Sequence, residues 1–350
     1  MTRVVAIILH PVPDPNAGAL ELAFAGMRAA NARRLAGLLE AGGAAVTTEE
    51  VRAGGPPFGA RLRRARAANP DAGLVVLGSG SLPLVTLRDA RDLVAAAASD
   101  GPMLANNRYS ADALAIPASV SVTGVPDIAT DNGLPRWFMD RGESVADLAG
   151  RWRLQVDLDS PLDGLLLGLA ASADGRRPME TPDPYARARD AVSRVRSVAT
   201  DPSAEILIAG RTSARSLRWL ERSTRSRSRV LVEERGMRTA PPGQRSPRSV
   251  IGLILDRDGP AAFGALLGEL GDAAVVDTRV LLAHRFGRDE RVWPIAEDRF
   301  ASDLLLYEAI ADPWLRALTR SAAIASIPIL LGGHTLTGPG LRLAVGGRRR

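Results

Sequence analysis

Residues 73–86 read GLVVLGSGSLPLVT, and this stretch decides how the first half of the chain is folded. The apolar run Leu74–Leu77 is too short for a helix and lacks the alternation of a half-buried strand, so it predicts a strand covered on both faces. Such strands belong to a mainly parallel sheet with helices on either side. The run ends in Gly78-Ser79-Gly80-Ser81, a small-residue turn.

Working outward, VVAIILH at residues 4–10 is a second buried strand. Residues 19–43 predict a long amphipathic helix closed by a glycine pair, and residues 59–70 and 87–99 two further helices. MLANNRYS and ADALAIP, at 103–117, read as a pair of short extended pieces. DNGLPRWFMDRG, at 131–142, reads as a helix capped by Asp131 or Asn132. Residues 151–170 enter as a strand and leave as a helix.

A chain of 350 residues exceeds what one core usually organises. The expected division is a first α/β domain over 1–170, a polar, proline-bearing linker over 171–186 and a second α/β domain over 187–350. Beyond the linker the alternation continues: a helix over 185–199, a strand at 204–210, a helix over 212–224 and a strand at 228–235. After a loop at 238–249 it resumes with SVIGLILD, a helix from Gly259 to Gly271, the strand AAVVDTRVLLA, helical stretches over 301–323 and IPILLGGHTL. The C-terminal arginines are expected to fray.

Apolar residues make up 46% of the chain and charged ones 24%, which argues for a folded protein. The absence of cysteine removes disulfides, thiolate zinc sites and a cysteine nucleophile, and fits a reducing cytoplasm. The apolar start of the chain is too short to span a bilayer or to serve as a secretory signal, so no membrane partner is expected. All 45 basic residues are arginine, a habit of GC-rich genomes that leaves no lysine for a Schiff base. The net charge is +6, yet aromatic residues are only 4%, which argues against a nucleic-acid partner.

Three segments, GLVVLGSGSLPLVT, LANNRYSADALAIP and WRLQVDLDSPLDGLLL, carry a resemblance in their order and spacing. The stretch from about Arg3 to Leu169 resembles the nucleotidyltransferases that guanylylate deazaflavin-cofactor intermediates and, more distantly, the molybdenum-cofactor guanylyltransferases. The resemblance implies a glycosyltransferase-A-like fold, a nucleoside triphosphate or nucleotide-linked small acid as ligand, and Mg²⁺ or Mn²⁺ bridging its phosphates. Such enzymes end the middle strand in a Gly-x-Asp-x-Pro turn. Here Gly78, Ser79, Gly80 and Ser81 stand there without the carboxylate, leaving hydroxyls and close backbone approach for a phosphate. Asp157-Leu158-Asp159-Ser160-Pro161 matches the stretch that supplies catalytic, metal-binding carboxylates. On an extended strand residues two apart share a face, so Asp157 and Asp159 could grip one hard cation; alternatively, Asp157 ends a strand and Asp159 caps the next helix.

His10, after the first strand, is a candidate ligand contact or a structural histidine. The loop behind it holds three prolines where relatives carry a glycine-rich turn with a basic residue, but the following helix N-terminus could still meet a phosphate. Asn106, Asn107 and Arg108 lie where the family lines its acceptor pocket and would suit a small phosphorylated or carboxylate ligand; the alternative is an asparagine-rich turn. Three further readings concern the second domain. Arg211-Thr212-Ser213 opens a helix as an anion site would, and also as an ordinary helix start does. Arg215, Arg218 and Arg222 share a helix face, by default a solvated one and otherwise a contact for a phosphate-rich ligand or partner. His284 and His334, with Asp277, Glu297 and Asp298, are a weakly spaced candidate metal set. The competing reading is a non-catalytic descendant in which the second domain carries the role.

Overall fold

The computed structural model describes residues 2–128, 131–168, 183–237 and 245–346. Most of the expected linker, residues 171–182, lies outside the described residues, as do 238–244 of the expected loop and Arg348–Arg350 at the C-terminus. The protein is α/β, with a mixed six-stranded sheet and a parallel four-stranded sheet, each flanked by helices. The chain forms two units, residues 1–16 with 25–158, and residues 17–24 with 159–350.

The first unit contains β1 (Val4–Pro11), α1 (Ala19–Ala41, from residue 25), β2 (Ala45–Val51), α2 (Phe58–Ala68), β3 (Gly73–Gly78), α3 (Leu87–Ala98), β4 (Met103–Ala105), β5 (Ala113–Ile116), α4 (Leu134–Met139) and β6 (Val145–Asp147). Strand order is β2-β1-β3-β5-β4-β6, and β5 alone runs antiparallel to its neighbours. Strand alternation explains why β1 and β3 read as unbroken apolar runs. Val4, Ala6 and Ile8 pack with Leu35, Leu39 and Leu93 on one face, whereas Val5 and Ile7 pack with Phe58, Leu62 and Phe138 on the other.

The second unit contains α5 (Pro161–Leu166), α6 (Ala186–Thr200), β7 (Glu205–Gly210), α7 (Ala214–Ser223), β8 (Arg227–Val232), α8 (Val250–Asp258), α9 (Phe263–Leu270), β9 (Ala273–Asp277), α10 (Thr278–Phe286), α11 (Ala296–Asp303), α12 (Pro313–Ala323), β10 (Ile329–Gly332), α13 (His334–Thr337) and α14 (Leu341–Val345). Its order, β10-β9-β7-β8, means the chain leaves β7 toward β8 and then returns to the opposite side for β9. The carboxyl ends of β7 and β9 therefore form a topological switch point, where open α/β sheets bind ligands.

Several local expectations change. SVIGLILD is the helix α8, because a short apolar run suits a buried helix as well as a strand. The strand expected through 273–283 ends at Asp277, whose carboxylate accepts the Arg279 amide and starts α10. The helix at 131–142 spans Leu134–Met139, with Gly133 at its N-cap rather than Asp131 or Asn132. Residues 152–155 form a 3₁₀ turn, not a strand, and Ser160 rather than Asp159 caps α5. Among the described residues no helix is long and apolar enough to cross a membrane.

Candidate functional site

In the first unit the candidate residues gather at the carboxyl ends of β1 and β3. The Ser79 amide donates to the Leu9 carbonyl at 2.8 Å, which brings Ser79 Oγ within 3.0 Å of His10 Nδ1. Burial, and then the nearby Arg28 guanidinium, lower the His10 pKa, so the imidazole is neutral at pH 7. Arg28 comes from α1. A methyl group on Gly80 would stand 2.9 Å from Arg28 Nε and 2.9 Å from the Leu158 carbonyl, so the glycine is what lets the guanidinium lie against the turn. A basic group thus lies beside the turn, and it comes from α1 and not from the loop after β1.

The turn itself is tied down. Asn31, buried on α1, donates from Nδ2 to the carbonyls of Ser79 and Ser81, both at 2.9 Å. Arg34 donates to the carbonyls of Leu82, Pro83 and Val85. These contacts hold Leu82 at φ 48°, a conformation that a side chain disfavours and that surrounding structure must enforce. An Asn31→Ala variant is expected to lose about 2 kcal/mol in urea denaturation, because two buried carbonyls lose their donor. A midpoint unchanged from wild type would show that the turn holds its shape without α1.

Ser81 Oγ donates to the Asp112 carbonyl at 2.9 Å, and Asn106 is equally committed. Asn106 donates to Asp112 Oδ2 and the Leu154 carbonyl and accepts from the Asp112 and Ala113 amides. Asn107 accepts the Tyr109 amide in a local turn, and Arg108 pairs with Asp147 at 3.3 Å. Asp157 makes an isolated antiparallel bridge with Ser81, which sets it beside the turn. Asp112, whose carbonyl accepts from Ser81, interacts in turn with Asp131. Surrounding protein, and then Asp112, push the pKa of Asp131 up to about 7, in the range of a proton-transfer group at neutral pH.

In the second unit the switch point carries a buried ionic cluster. Arg211, just past β7, donates from Nε and Nη2 to the two carboxylate oxygens of Asp277 at 2.6 and 3.1 Å. Arg279 donates to both oxygens of Asp303 at 2.6 Å. Burial alone would raise Asp277, but Arg211 outweighs it and the pKa is lowered. Asp159 falls in this unit and accepts from Thr335 Oγ1 at 3.3 Å, and its amide donates to Asp163 Oδ2. Asp157 and Asp159 thus belong to different units.

His334 is exposed and donates from Nδ1–H to the Arg211 carbonyl at 2.8 Å. Surrounding protein, then Arg211, lower its pKa, so at pH 7 the ring is neutral. The other members of the weakly spaced metal set are dispersed. His284 accepts the Ser249 amide and donates to Asp256, and Asp298 accepts the amides of Ala311 and Asp312. Glu297 accepts the amides of Leu20 and Glu21 at 3.0 Å each, so the start of α1, expected to be open to a phosphate, already holds a carboxylate.

Sequence reasoning missed Arg28, Asn31, Asp112, Arg279 and Asp303 as members of these clusters. Only Asp277-Thr278-Arg279, charged residues directly after a buried apolar run, left a local signal. No protein-family model and no curated protein matches the chain.

Proposed function

We propose that the chain is a nucleotidyltransferase-like protein that binds a nucleoside triphosphate, or a nucleotide-linked small acid, at the carboxyl edge of the first sheet. The observation that carries this reading is the convergence of a neutral His10, Arg28 and the glycine-serine turn at the ends of β1 and β3. Arg28 offers charge-assisted donors, and Gly80 permits close backbone approach. Asp112 meets the turn through its carbonyl, and Asp131, which interacts with Asp112, could accept or return the proton of an acceptor group.

The oxygen donors Asp112, Asp131 and Asp157 have the chemistry of a hard cation site. Among the described residues, however, no three acidic or histidine side chains form a group that could hold a bare ion. Mg²⁺ or Mn²⁺ would be held by Asp157 together with the phosphates of a bound nucleotide. The cation would neutralise charge on the phosphates.

Calorimetry with GTP, CTP and UTP plus Mg²⁺ tests the reading. One nucleotide is expected to bind, and Asp157→Asn and Arg28→Met each to weaken it by about tenfold or more, a loss of about 1.4 kcal/mol. No binding by any of the three, or binding indifferent to both substitutions, overturns it. A second reading, a non-catalytic descendant of such an enzyme, is favoured by the commitment of Ser81 and Asn106 to backbone groups. Nucleotide binding without release of pyrophosphate would support it.

A further inference from the structure

The second unit has a cavity of about 410 Å³ lined by Arg215, Arg218, Trp219, Arg222, Ser223 and Arg342. Four arginines line it and no acidic residue does. Arg215, Arg218 and Arg222 come from α7 at spacings of three and four, which places them along one face. Arg342 enters from a different element, α14, with its Cζ 5.2 Å from the centre of the Trp219 ring. Among the described residues, Arg215, Arg218 and Arg222 have no ion-pair partner. Elsewhere the chain pairs arginines freely, as with Arg187 and Glu308 or Arg189 and Asp183.

A solvated basic helix face explains three arginines on α7, but it does not explain a fourth delivered from α14 into the same concavity. Like charges gathered in a recess repel. Burial, then Arg215, lower the Arg342 pKa, as that repulsion requires. An anion relieves the repulsion, and planar guanidinium groups pair with phosphate oxygens in bidentate fashion. The volume suits a small molecule. A nucleic-acid strand would call for an extended basic groove with several stacking aromatics, and here a single tryptophan lines the wall, covered on its face by Arg342.

We propose that this cavity is a binding site for a polyphosphate chain, either inorganic or the triphosphate of a nucleotide. It lies wholly in the second unit and does not depend on the first-sheet reading. The probes are sodium tripolyphosphate, orthophosphate and ATP without metal, titrated into the full chain by calorimetry, with a single-stranded oligonucleotide as a fourth arm. Tripolyphosphate is expected to bind about tenfold or more tighter than orthophosphate, and to weaken as salt rises. Equal affinity for ATP and tripolyphosphate assigns recognition to the phosphate chain alone, and tighter ATP binding assigns the nucleotide as the source.

The double variant Arg218→Glu/Arg222→Glu changes exposed side chains and is expected to abolish tripolyphosphate binding, with its thermal unfolding midpoint near that of wild type. Asp157→Asn is expected to leave tripolyphosphate binding intact, which separates this site from the first sheet. No tripolyphosphate binding at about 1 mM overturns the proposal. So does binding that survives the double substitution, or binding of the oligonucleotide in preference to tripolyphosphate.

Discussion

Asp277→Ala is expected to lower the stability of the second unit by about 3–5 kcal/mol, because it leaves the Arg211 guanidinium buried without its counter-ion. Arg211 and Asp277 are both almost wholly buried, and two hydrogen bonds join them in a side-on pair. The carboxylate-sized gap left by the substitution contributes less than an unpaired buried charge at the carboxyl ends of β7 and β9. A double variant, Arg211→Met with Asp277→Leu, removes both charges together. It is expected to recover all but about 1 kcal/mol, the remainder being the lost cap on the Arg279 amide. The contribution of Asp277 has a definite pH sign. Its pKa is depressed in the folded state, so its stabilisation is present above the ordinary carboxylate range and is lost as pH falls below it. Urea midpoints of the three proteins at pH 7 decide the matter. A single variant less than about 1 kcal/mol below wild type would mean that water or a rearranged partner reaches Arg211 easily.

The legible parts of this chain are those where one face or both faces of an element are buried. β1 and β3 are covered by helices on both sides, so their apolar runs are unbroken and their end at Gly78 is sharp. α7 and α12 carry one buried stripe each and could be read from spacing. β2 was not legible, because its residues Thr47–Glu50 lie on a partly exposed edge and have no apolar pattern. Val250–Asp258 has the opposite problem, being apolar enough for either element.

The candidate sites were legible only where the chain itself carries a compact motif. Gly78–Ser81 and His10 were found from sequence because each follows directly on a buried strand. Their partners were not. Arg28 and Asn31 sit mid-helix among alanines, and only the parallel pairing of β1 and β3 carries α1 over the turn. Arg211 and Asp277 are 66 residues apart, and Arg279 and Asp303 are 24 apart, so neither pair has a local signature. Sequence did mark Arg215, Arg218 and Arg222 as one face, but the arrival of Arg342 depends on how α14 folds back on α7.

Asp163→Asn is expected to stabilise the protein at pH 8 while leaving it nearly unchanged at pH 4. The Asp163 carboxyl is buried, and its Oδ2 accepts from the Asp159 amide and the Ser160 hydroxyl. Burial, followed by the charges of Asp159 and Asp303, pushes its pKa up to about 8. An unfolded aspartate titrates near pH 4, so between about pH 4 and 8 the folded state binds a proton that the unfolded state does not. The sign follows directly: the stabilisation from this group is complete below about pH 4 and declines by about 1.4 kcal/mol per unit as pH rises toward 8. An asparagine offers the same carbonyl oxygen to both donors and never ionises. The variant should therefore exceed wild type by on the order of 2–4 kcal/mol at pH 8, measured as the difference between their urea midpoints across pH 4 to 8. Taking that difference cancels the titrating groups that do not interact with Asp163, such as Asp131 of the first unit. Two curves that run parallel, or a wild type that gains stability over the variant as pH rises, would mean that Asp163 is ionised in place and that Arg279, already bound to Asp303, is neutralising a second carboxylate as well.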